Sequence, residues 1–164
     1  MEEQDPVNTP EFWEACYDSQ MDGWDLGGPT PVFQRLRNIK QLGACSYIFP
    51  TASHSRFEHS IGVAYLAKEF LGALVSNSDG LNVKEEDYLL VEIAGLCHDL
   101  GHGPFSHAFD NEILKKGIRD IDKNKIQFTE HENRSILLFK YIVHTYNIDL
   151  TDEQVNKICE MIHP

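Results

Sequence analysis

Two potential metal ligands, His98 and Asp99, follow the apolar segment 89–96 and precede a turn rich in glycine and histidine. Neutral imidazole and carboxylate both bind divalent cations, and an adjacent pair at a helix end can hold one ion from two directions. Consecutive residues do not share a helix face, so the helix must stop at this pair, as Gly101, Gly103 and Pro104 indicate. Taken alone, the doublet is better explained as a capped, solvated helix end.

Histidine is concentrated around this doublet. Six of the eight histidines lie in the central half of the chain: His54, His59, His98, His102, His107 and His131. Arg56 and His59 are three residues apart, so on a helix they share a face and join a candidate phosphate contact to a candidate ligand. For this segment alone, a core histidine and an exposed arginine paired with Glu58 explain the pattern equally well. Together with the doublet, the cluster favours a functional site.

The spacing of hydrophobic residues predicts the elements that position these side chains. Wherever that spacing is regular, its period is close to 3.6 residues, which predicts an all-α fold. Residues 1–31 read as irregular, with the option of a short helix at 10–19, and residues 118–129 read as a charged loop that could cover a site. Helices are predicted at 32–42, at 54–76 with Ser53 as N-cap, at 84–99, at 106–116, at 130–146, and from the cap Thr151 to about 162.

Composition limits the protein class. The chain has 164 residues and 41% hydrophobic content, which suits one domain with one core. It has no apolar run of membrane-spanning length and no signal-peptide pattern, so we expect a soluble intracellular protein in the cytoplasm or nucleus. The four cysteines, which form no C-x-x-C pair, are expected to be reduced and structural: Cys16, Cys45, Cys97 and Cys159.

The charge distribution argues against some partners. The net charge is −12, and eight acids precede Arg35 with no Lys or Arg among them. A strongly acidic protein is a poor binder of extended nucleic acid, because Lys and Arg supply most of that affinity. A small anionic substrate remains compatible if cations converge locally, and the first candidates are Arg35, Arg37, Lys40 and Arg56.

Four segments, in order, resemble the motifs of the HD-domain phosphohydrolases, and most of all the SAM-and-HD-domain deoxynucleoside triphosphate triphosphohydrolases. They are FQRLR at 33–37, IKQLG at 39–43, SHSRFEHS at 53–60 and AGLCHDLGHGPFSH at 94–107. The similarity covers roughly residues 31–146. It implies an HD-domain helical bundle in a minimal or truncated form, with an acidic irregular segment at 1–30 and the HD domain at 31–164, its core motifs at 33–131.

The resemblance also implies a role for each site residue. One catalytic divalent ion, Mn²⁺, Fe²⁺, Mg²⁺ or Zn²⁺, would be bound by His59, His98 and Asp99. The family's fourth ligand is an Asp on a later helix, which would lie beyond Pro164. The residues that line the phosphates and handle protons would be His102, His107, Asp110 and His131. The substrate contacts would be Gln41 and Leu42 to the sugar and Arg56 to the phosphate.

The expected activity follows from the same resemblance: hydrolysis of (deoxy)nucleoside triphosphates to nucleoside and triphosphate. Two alternatives stay open. One is a broader HD phosphohydrolase that takes nucleoside monophosphates or other phosphoesters, and the other is a non-catalytic remnant that binds nucleotides or a partner. The expected partner is a nucleotide substrate, with no membrane and no extended nucleic acid, and a homodimer is left open.

Overall fold

The computed structural model describes residues 30–117 and 129–164. Within these ranges the regular structure is helical apart from one isolated antiparallel bridge between Lys40 and Ser55, which confirms the all-α prediction. The α-helices there are α1 (Pro31–Gln34), α2 (Arg56–Asn77), α3 (Glu85–Cys97), α4 (Lys115–Gly117), α5 (His131–Thr145) and α6 (Asp152–Ile162). The predictions for 1–29, including the helix at 10–19, and for the loop at 118–128 fall outside the described residues.

Helices α2 and α3 form the antiparallel pair on which the site is built. Gly95 makes their close approach possible, since a Cβ there would lie 3.1 Å from the Cα of Ala64. Further along, Lys68 on α2 and the buried Glu92 on α3 form an ion pair at 3.3 Å. This register brings the first turn of α2 beside the last turn of α3.

Helices α5 and α6 complete the core against α3. Leu90 and Leu96 of α3 pack with Phe139 and Ile142 of α5 and with Ile158 of α6, all at most 1% exposed. Burying each such side chain contributes about 1.5–3 kcal/mol. As predicted, Thr151 caps α6, with its hydroxyl accepting from the Gln154 amide at 3.3 Å in a capping box. None of the described helices is long and apolar enough to cross a membrane.

The helix predicted at 32–42 is wrong beyond its first turn. Helix α1 ends at Gln34, and a 3₁₀ turn spans Arg35–Asn38 before the chain becomes extended at Ile39. The backbone at 39–41 pairs with 54–56 instead: the Arg56 amide donates to the Ile39 carbonyl at 2.8 Å. The buried positions 33, 36 and 39 recur every third residue, a spacing that a 3₁₀ turn satisfies as well as an α-helix.

Two further boundaries differ from their predictions. Ser55 rather than Ser53 caps α2, because the Ser55 hydroxyl accepts from the Glu58 amide while the Glu58 carboxylate accepts from the Ser55 amide. The helix predicted at 106–116 is largely a π-helical turn, Phe109–Leu114, followed by the short α4. Ser106 cannot lie inside a right-handed helix, since its φ is +55°.

Candidate metal centre and histidine cluster

Three potential ligands meet where α2 begins and α3 ends; we call His59, His98 and Asp99 the metal trio. Their ligand atoms all lie within 4.8 Å of one another. His59 Nε2 is 3.3 Å from Asp99 Oδ2, and His98 Nε2 is 3.3 Å from Asp99 Oδ1. Helix α3 ends at Cys97 with His98 as C-cap, so the doublet does lie at a helix end as predicted.

Backbone contacts fix the orientation of the doublet. His98 Nδ1 donates to the Gly95 carbonyl, 2.7 Å away, when it carries the ring proton, which leaves Nε2 free to ligate. The Ser135 hydroxyl on α5 donates to the His98 carbonyl at 2.6 Å. Ser135 Oγ also accepts from the Gly101 amide at 2.8 Å. Helix α5 therefore holds the turn that carries two of the three ligands.

Arg56 lies against the metal trio, and both it and Asp99 are almost fully buried. Its guanidinium pairs with Asp99 Oδ2, donates from Nε to the Ser106 hydroxyl at 2.9 Å, and donates from Nη2 to the Gln41 carbonyl at 3.3 Å. Burial alone would raise the pKa of the Asp99 carboxyl. The nearby His102, His98 and Arg56 outweigh burial and bring that pKa well below its usual range. Asp99 is therefore a carboxylate at neutral pH.

The donor set of the metal trio fits a divalent ion. Two imidazoles and a carboxylate with further coordination positions left open suit Mn²⁺, Fe²⁺ or Zn²⁺. Burial lowers the pKa of His59, while Asp99 partly opposes that shift, so the imidazole is neutral and can ligate near pH 7. The chemistry of these three residues thus agrees with the ligand role expected from the sequence.

A second group of ligand-type side chains lies beside the trio; we call His102, His107, Asp110 and His131 the histidine cluster. Their ligand atoms also lie within 4.8 Å of one another. The rings of His102 and His131 stack with centroids 3.8 Å apart, and His107 meets both rings edge on at 4.8 and 5.2 Å. His131 Nδ1 is 3.3 Å from Asp110 Oδ2. His102 Nε2 is 3.4 Å from Asp99 Oδ1, which joins the cluster to the trio.

Burial favours the neutral imidazole at two residues of the cluster, His131 and His102. Burial, followed by the neighbouring His102, lowers the pKa of His131 to about 4 despite the carboxylates of Glu132 and Asp110. Burial likewise lowers the pKa of His102, and Asp99 only partly offsets it. Both rings are therefore neutral near pH 7, and each has a lone pair on one ring nitrogen.

The turn between the two groups has an unusual backbone. Phe105 and Ser106 have φ values of +64° and +55°, two successive left-handed residues that are not glycine. Such residues cost on the order of 1 kcal/mol or more each and tend to occur at functional sites. This turn returns the chain so that His107 faces His102, and it aims the Ser106 hydroxyl at Arg56 and at the Lys40 carbonyl, 2.9 Å away. The conformation thus links both groups to the loop at 39–43.

The predicted sugar contacts lie on that loop. Gln41 shares a short hydrogen bond, 2.6 Å, between its amide oxygen and His54 Nε2, and its carbonyl accepts from Arg56. Leu42 is 48% exposed, so it belongs to the surface rather than to the core. Both residues therefore lie at the edge of the candidate site, with Arg56 between them and the metal trio.

The other basic residues considered for anion binding have structural contacts. Arg35 donates to the carbonyls of Leu100 and of His102, the latter at 2.9 Å. Arg37 lies 3.5 Å above the ring of Phe57 and donates to the Gln34 side chain, and Lys40 Nζ donates to the Ser46 hydroxyl at 2.9 Å. Arg35 thus supports the turn after Asp99.

Sequence reasoning missed the residues that hold this turn in place. Arg134 pairs with Asp110 Oδ1 and donates from Nε to the Gly101 carbonyl at 2.9 Å. Ser106 and Ser135 bridge backbone and side chains as described above. Their partners are 24 to 66 residues distant in the chain, so no local pattern marks them. Only knowledge of which distant residues contact one another would reveal these supports.

Comparisons with known proteins find a matching family model and several relatives. The family model for the HD domain matches residues 56–162. The deoxynucleoside triphosphate triphosphohydrolase SAMHD1 of Homo sapiens is 47% identical over 131 residues, 80% of this chain and 20% of that protein. The SAMHD1 homologue of Dictyostelium discoideum is 45% identical over 75% of this chain and 23% of its own length.

A viral protein is similar over a larger share of its length. The putative HD domain-containing protein L394 of Acanthamoeba polyphaga mimivirus is 39% identical over 150 residues, 82% of this chain and 31% of that protein. The chain spans about a fifth to a third of the curated relatives described here.

Proposed function

The chain belongs to the HD-domain family, and from that premise we propose that it is a metal-dependent phosphohydrolase that splits deoxynucleoside triphosphates into nucleoside and intact triphosphate. The activity named for the human and bovine relatives supports this choice of reaction. The single observation that carries the proposal is the contiguity of the metal trio and the histidine cluster through Asp99 and His102, 3.4 Å apart. This contact places the candidate metal ligands next to histidines that could transfer protons.

In this proposal the metal trio holds one divalent ion. When bound, the ion supplies Lewis acidity toward phosphoryl oxygens and lowers the pKa of coordinated water. Asp99 would serve as a ligand because His102, His98 and Arg56 lower the pKa of its carboxyl and keep it ionised, and Arg56 fixes its orientation. His98 would serve through Nε2, because its Nδ1 faces the Gly95 carbonyl.

The histidine cluster would handle the two protons of the reaction. The attacking water loses a proton as its oxygen bonds to the α-phosphorus. The nucleoside 5′-oxygen gains a proton as its bond to the α-phosphorus breaks. His131 would accept the first proton, since its pKa of about 4 keeps it neutral and Asp110 orients it. His107, exposed at the edge of the cluster, would donate the second. His102 would connect the carboxylates of Asp99 and Asp110, which lie on either side of its ring.

Substrate contacts would come from the loop at 39–43 and from Arg56. The guanidinium of Arg56 is near the trio and carries the positive charge that phosphate requires. A bound phosphate would compete with Asp99, Ser106 and the Gln41 carbonyl for the five N–H groups of the Arg56 guanidinium. The Gln41 amide would bond a sugar hydroxyl, and the exposed Leu42 would cover the sugar ring. A cytoplasmic or nuclear location and a homodimer stay predictions.

The test is metal-dependent hydrolysis by the full chain. Protein stripped with EDTA is expected to be inactive on dATP, dGTP, dCTP and dTTP and to regain activity with Mn²⁺. His131→Gln is expected to lower kcat by about 10²-fold or more, the contribution of a general acid or base. His144→Gln, an exposed histidine on the same helix α5, is the matched control and is expected to keep wild-type activity.

Two outcomes separate the alternatives. Faster hydrolysis of nucleoside monophosphates or bis(p-nitrophenyl) phosphate than of any dNTP would replace the proposal with a broader phosphohydrolase. The protein would be a non-catalytic nucleotide-binding domain if it is folded and binds a dNTP but hydrolyses none of these compounds with Mn²⁺, Fe²⁺, Mg²⁺ or Zn²⁺.

A further inference from the structure

We propose that Arg134 is a positioning residue of the histidine cluster, which holds the Asp110 carboxylate so that one of its oxygens faces the ring of His131. Arg134 lies at the end of the first turn of helix α5, three positions after His131, so the two side chains share a helix face. This geometry does not depend on what the protein hydrolyses. Its expected effect on catalysis rests on the function proposed above, in which His131 accepts a proton.

The guanidinium of Arg134 joins helix α5 to two other segments of the chain. Its Nη2 pairs with Asp110 Oδ1 on the π-helical turn, and its Nε donates to the Gly101 carbonyl at 2.9 Å. Because a guanidinium is planar and its N–H groups have fixed directions, these two contacts determine where the carboxylate lies relative to α5. A lysine ammonium on a flexible stem cannot make both contacts with the same geometry.

The carboxylate oxygen that Arg134 leaves free faces the histidines. Asp110 Oδ2 is 3.3 Å from His131 Nδ1 and 3.8 Å from His102 Nδ1. Oδ2 has no hydrogen-bond partner among the described residues, so the carboxylate is held in place through Oδ1. A carboxylate beside Nδ1 favours the tautomer that carries its proton there, which leaves the Nε2 lone pair of His131 for the reaction.

Arg134 lies where a positive charge is otherwise unfavourable. The amino-terminal end of a helix carries partial positive charge, and cations are favoured at the opposite end. Burial and, after it, the charge of Arg134 lower the pKa of Arg35, so the two guanidiniums are close enough to repel. Asp110 is 3% exposed and requires a counter-charge, and within the described ranges Arg134 is the permanently charged residue paired with it. The ion pair with Asp110 therefore explains why an arginine lies here.

Loss of Arg134 should impair catalysis through His131. Without its partner at Oδ1 the Asp110 carboxylate can turn away, and His131 loses the contact that sets its tautomer. We expect Arg134→Gln to lower kcat by about tenfold or more, because misplacement of a reacting group is costly, and to change KM for dATP by less than about twofold. Arg134→Lys keeps the charge but not the paired contacts, so its kcat should lie between those of Arg134→Gln and wild type.

A double-mutant cycle tests whether Arg134 acts through His131. In the His131→Gln background, Arg134→Gln should change kcat by less than about twofold, since the group that Arg134 positions is absent. A merely structural role would lower kcat by the same factor in both backgrounds. Lys140→Gln, which removes a positive charge from an exposed position on the same helix, is the matched control and should keep the wild-type kcat and KM.

The ring NMR signals of His131 give a second measurement that needs no hydrolysis. In EDTA-treated protein without nucleotide they report proton uptake by the Asp110–His131 pair, and the pKa of His131 is about 4 in the wild type. Removal of the Arg134 charge should raise that pKa toward the ordinary value of about 6.5. The other charged or titratable groups around the ring are unchanged in Arg134→Gln: His102, His107, Asp110, Glu132 and Asp99.

Circular dichroism establishes that each variant is folded, and if Arg134→Gln is misfolded the cycle is run with Arg134→Lys. An equal loss of kcat in both backgrounds, no loss in either, or an unchanged pKa of His131 in Arg134→Gln would overturn the inference. Hydrolysis of dNTPs by the wild type would leave the proposed function standing in each of these cases. A raised pKa of His131 in a protein that hydrolyses nothing would refute the proposed function but not the positioning of Asp110 by Arg134.

Discussion

Replacing Gly101 with alanine should separate the turn after Asp99 from helix α5. A Cβ at Gly101 would lie 2.1 Å from the His131 carbonyl oxygen, 2.6 Å from the Ser135 amide nitrogen and 2.7 Å from the Arg134 Cβ. Two of these atoms belong to the backbone of α5, so rotation of a flexible side chain cannot relieve the contact. The turn and the helix must move apart.

The magnitude follows from what that movement disrupts. The hydrogen bonds that join the turn to α5 include Gly101 amide to Ser135 Oγ at 2.8 Å, Arg134 Nε to the Gly101 carbonyl at 2.9 Å, and Ser135 Oγ to the His98 carbonyl at 2.6 Å. Each contributes about 0.5–1.5 kcal/mol net, and overpacking without separation costs about 1–3 kcal/mol. We expect Gly101→Ala to lower the free energy of unfolding by about 2–4 kcal/mol, which corresponds to a Tm lower by roughly 5–15 °C.

Urea denaturation followed by circular dichroism measures this loss, and metal retention measures its effect on the site, because the displaced turn carries His98 and Asp99. Gly62→Ala is the matched control: it lies within α2 with no atom within 4 Å of its added Cβ, so it should stabilise the helix by about 0.5–1 kcal/mol. A Gly101→Ala variant within about 0.5 kcal/mol of wild type would refute the reasoning.

Three further predictions concern single side chains. His98→Ala should weaken binding of the Mn²⁺ ion by more than about 100-fold without changing helical content, since its side chain is only part-buried, and elemental analysis with circular dichroism checks both. The folded-state pKa of His131, about 4, lies below the ordinary 6.5, so its contribution to stability is present above about pH 6.5 and is lost as the pH falls toward 4. The loss is on the order of 2 kcal/mol; unfolding of EDTA-treated protein should depend less on pH in His131→Gln but not in His144→Gln, and equal pH dependence in all three would contradict this. Ellman's reagent should label the exposed Cys45 in native protein, while Cys97, whose pKa burial raises to about 12, should react only after unfolding; rapid native labelling of a Cys45→Ser variant at Cys97 would contradict this.

The helical elements were predictable where local physics determines them. The stripe on 130–146 and the cap at Thr151 gave α5 and α6 to within a residue or two, because periodicity and capping are short-range. The helix end at His98 was predictable for the same reason. The chain at 32–42 was not, because the backbone of Ile39 pairs with Arg56, and a three-residue hydrophobic spacing fits two helix types.

The sequence predicts which residue types form the site, but it does not predict which residues hold them in place. Histidine and aspartate are conspicuous in sequence, and the metal trio comes together as expected. The commitment of Arg56 to Asp99 and of Arg35 to the carbonyls of the turn connects residues 43 to 67 positions apart. Contacts at such separations leave no periodic trace in the sequence, so Arg56 could be read as a phosphate contact but not as the partner of a ligand.

The most direct test of the central claim is hydrolysis of a dNTP in ¹⁸O-labelled water with Mn²⁺, with the products resolved by ion-exchange chromatography and mass spectrometry. Attack at the α-phosphorus predicts deoxynucleoside and intact triphosphate in equal amounts, with one ¹⁸O in the triphosphate and none in the nucleoside. The same products should be missing after EDTA treatment and in His98→Ala. Labelled orthophosphate or pyrophosphate as the first product, or product formation that survives loss of the metal, would contradict the account.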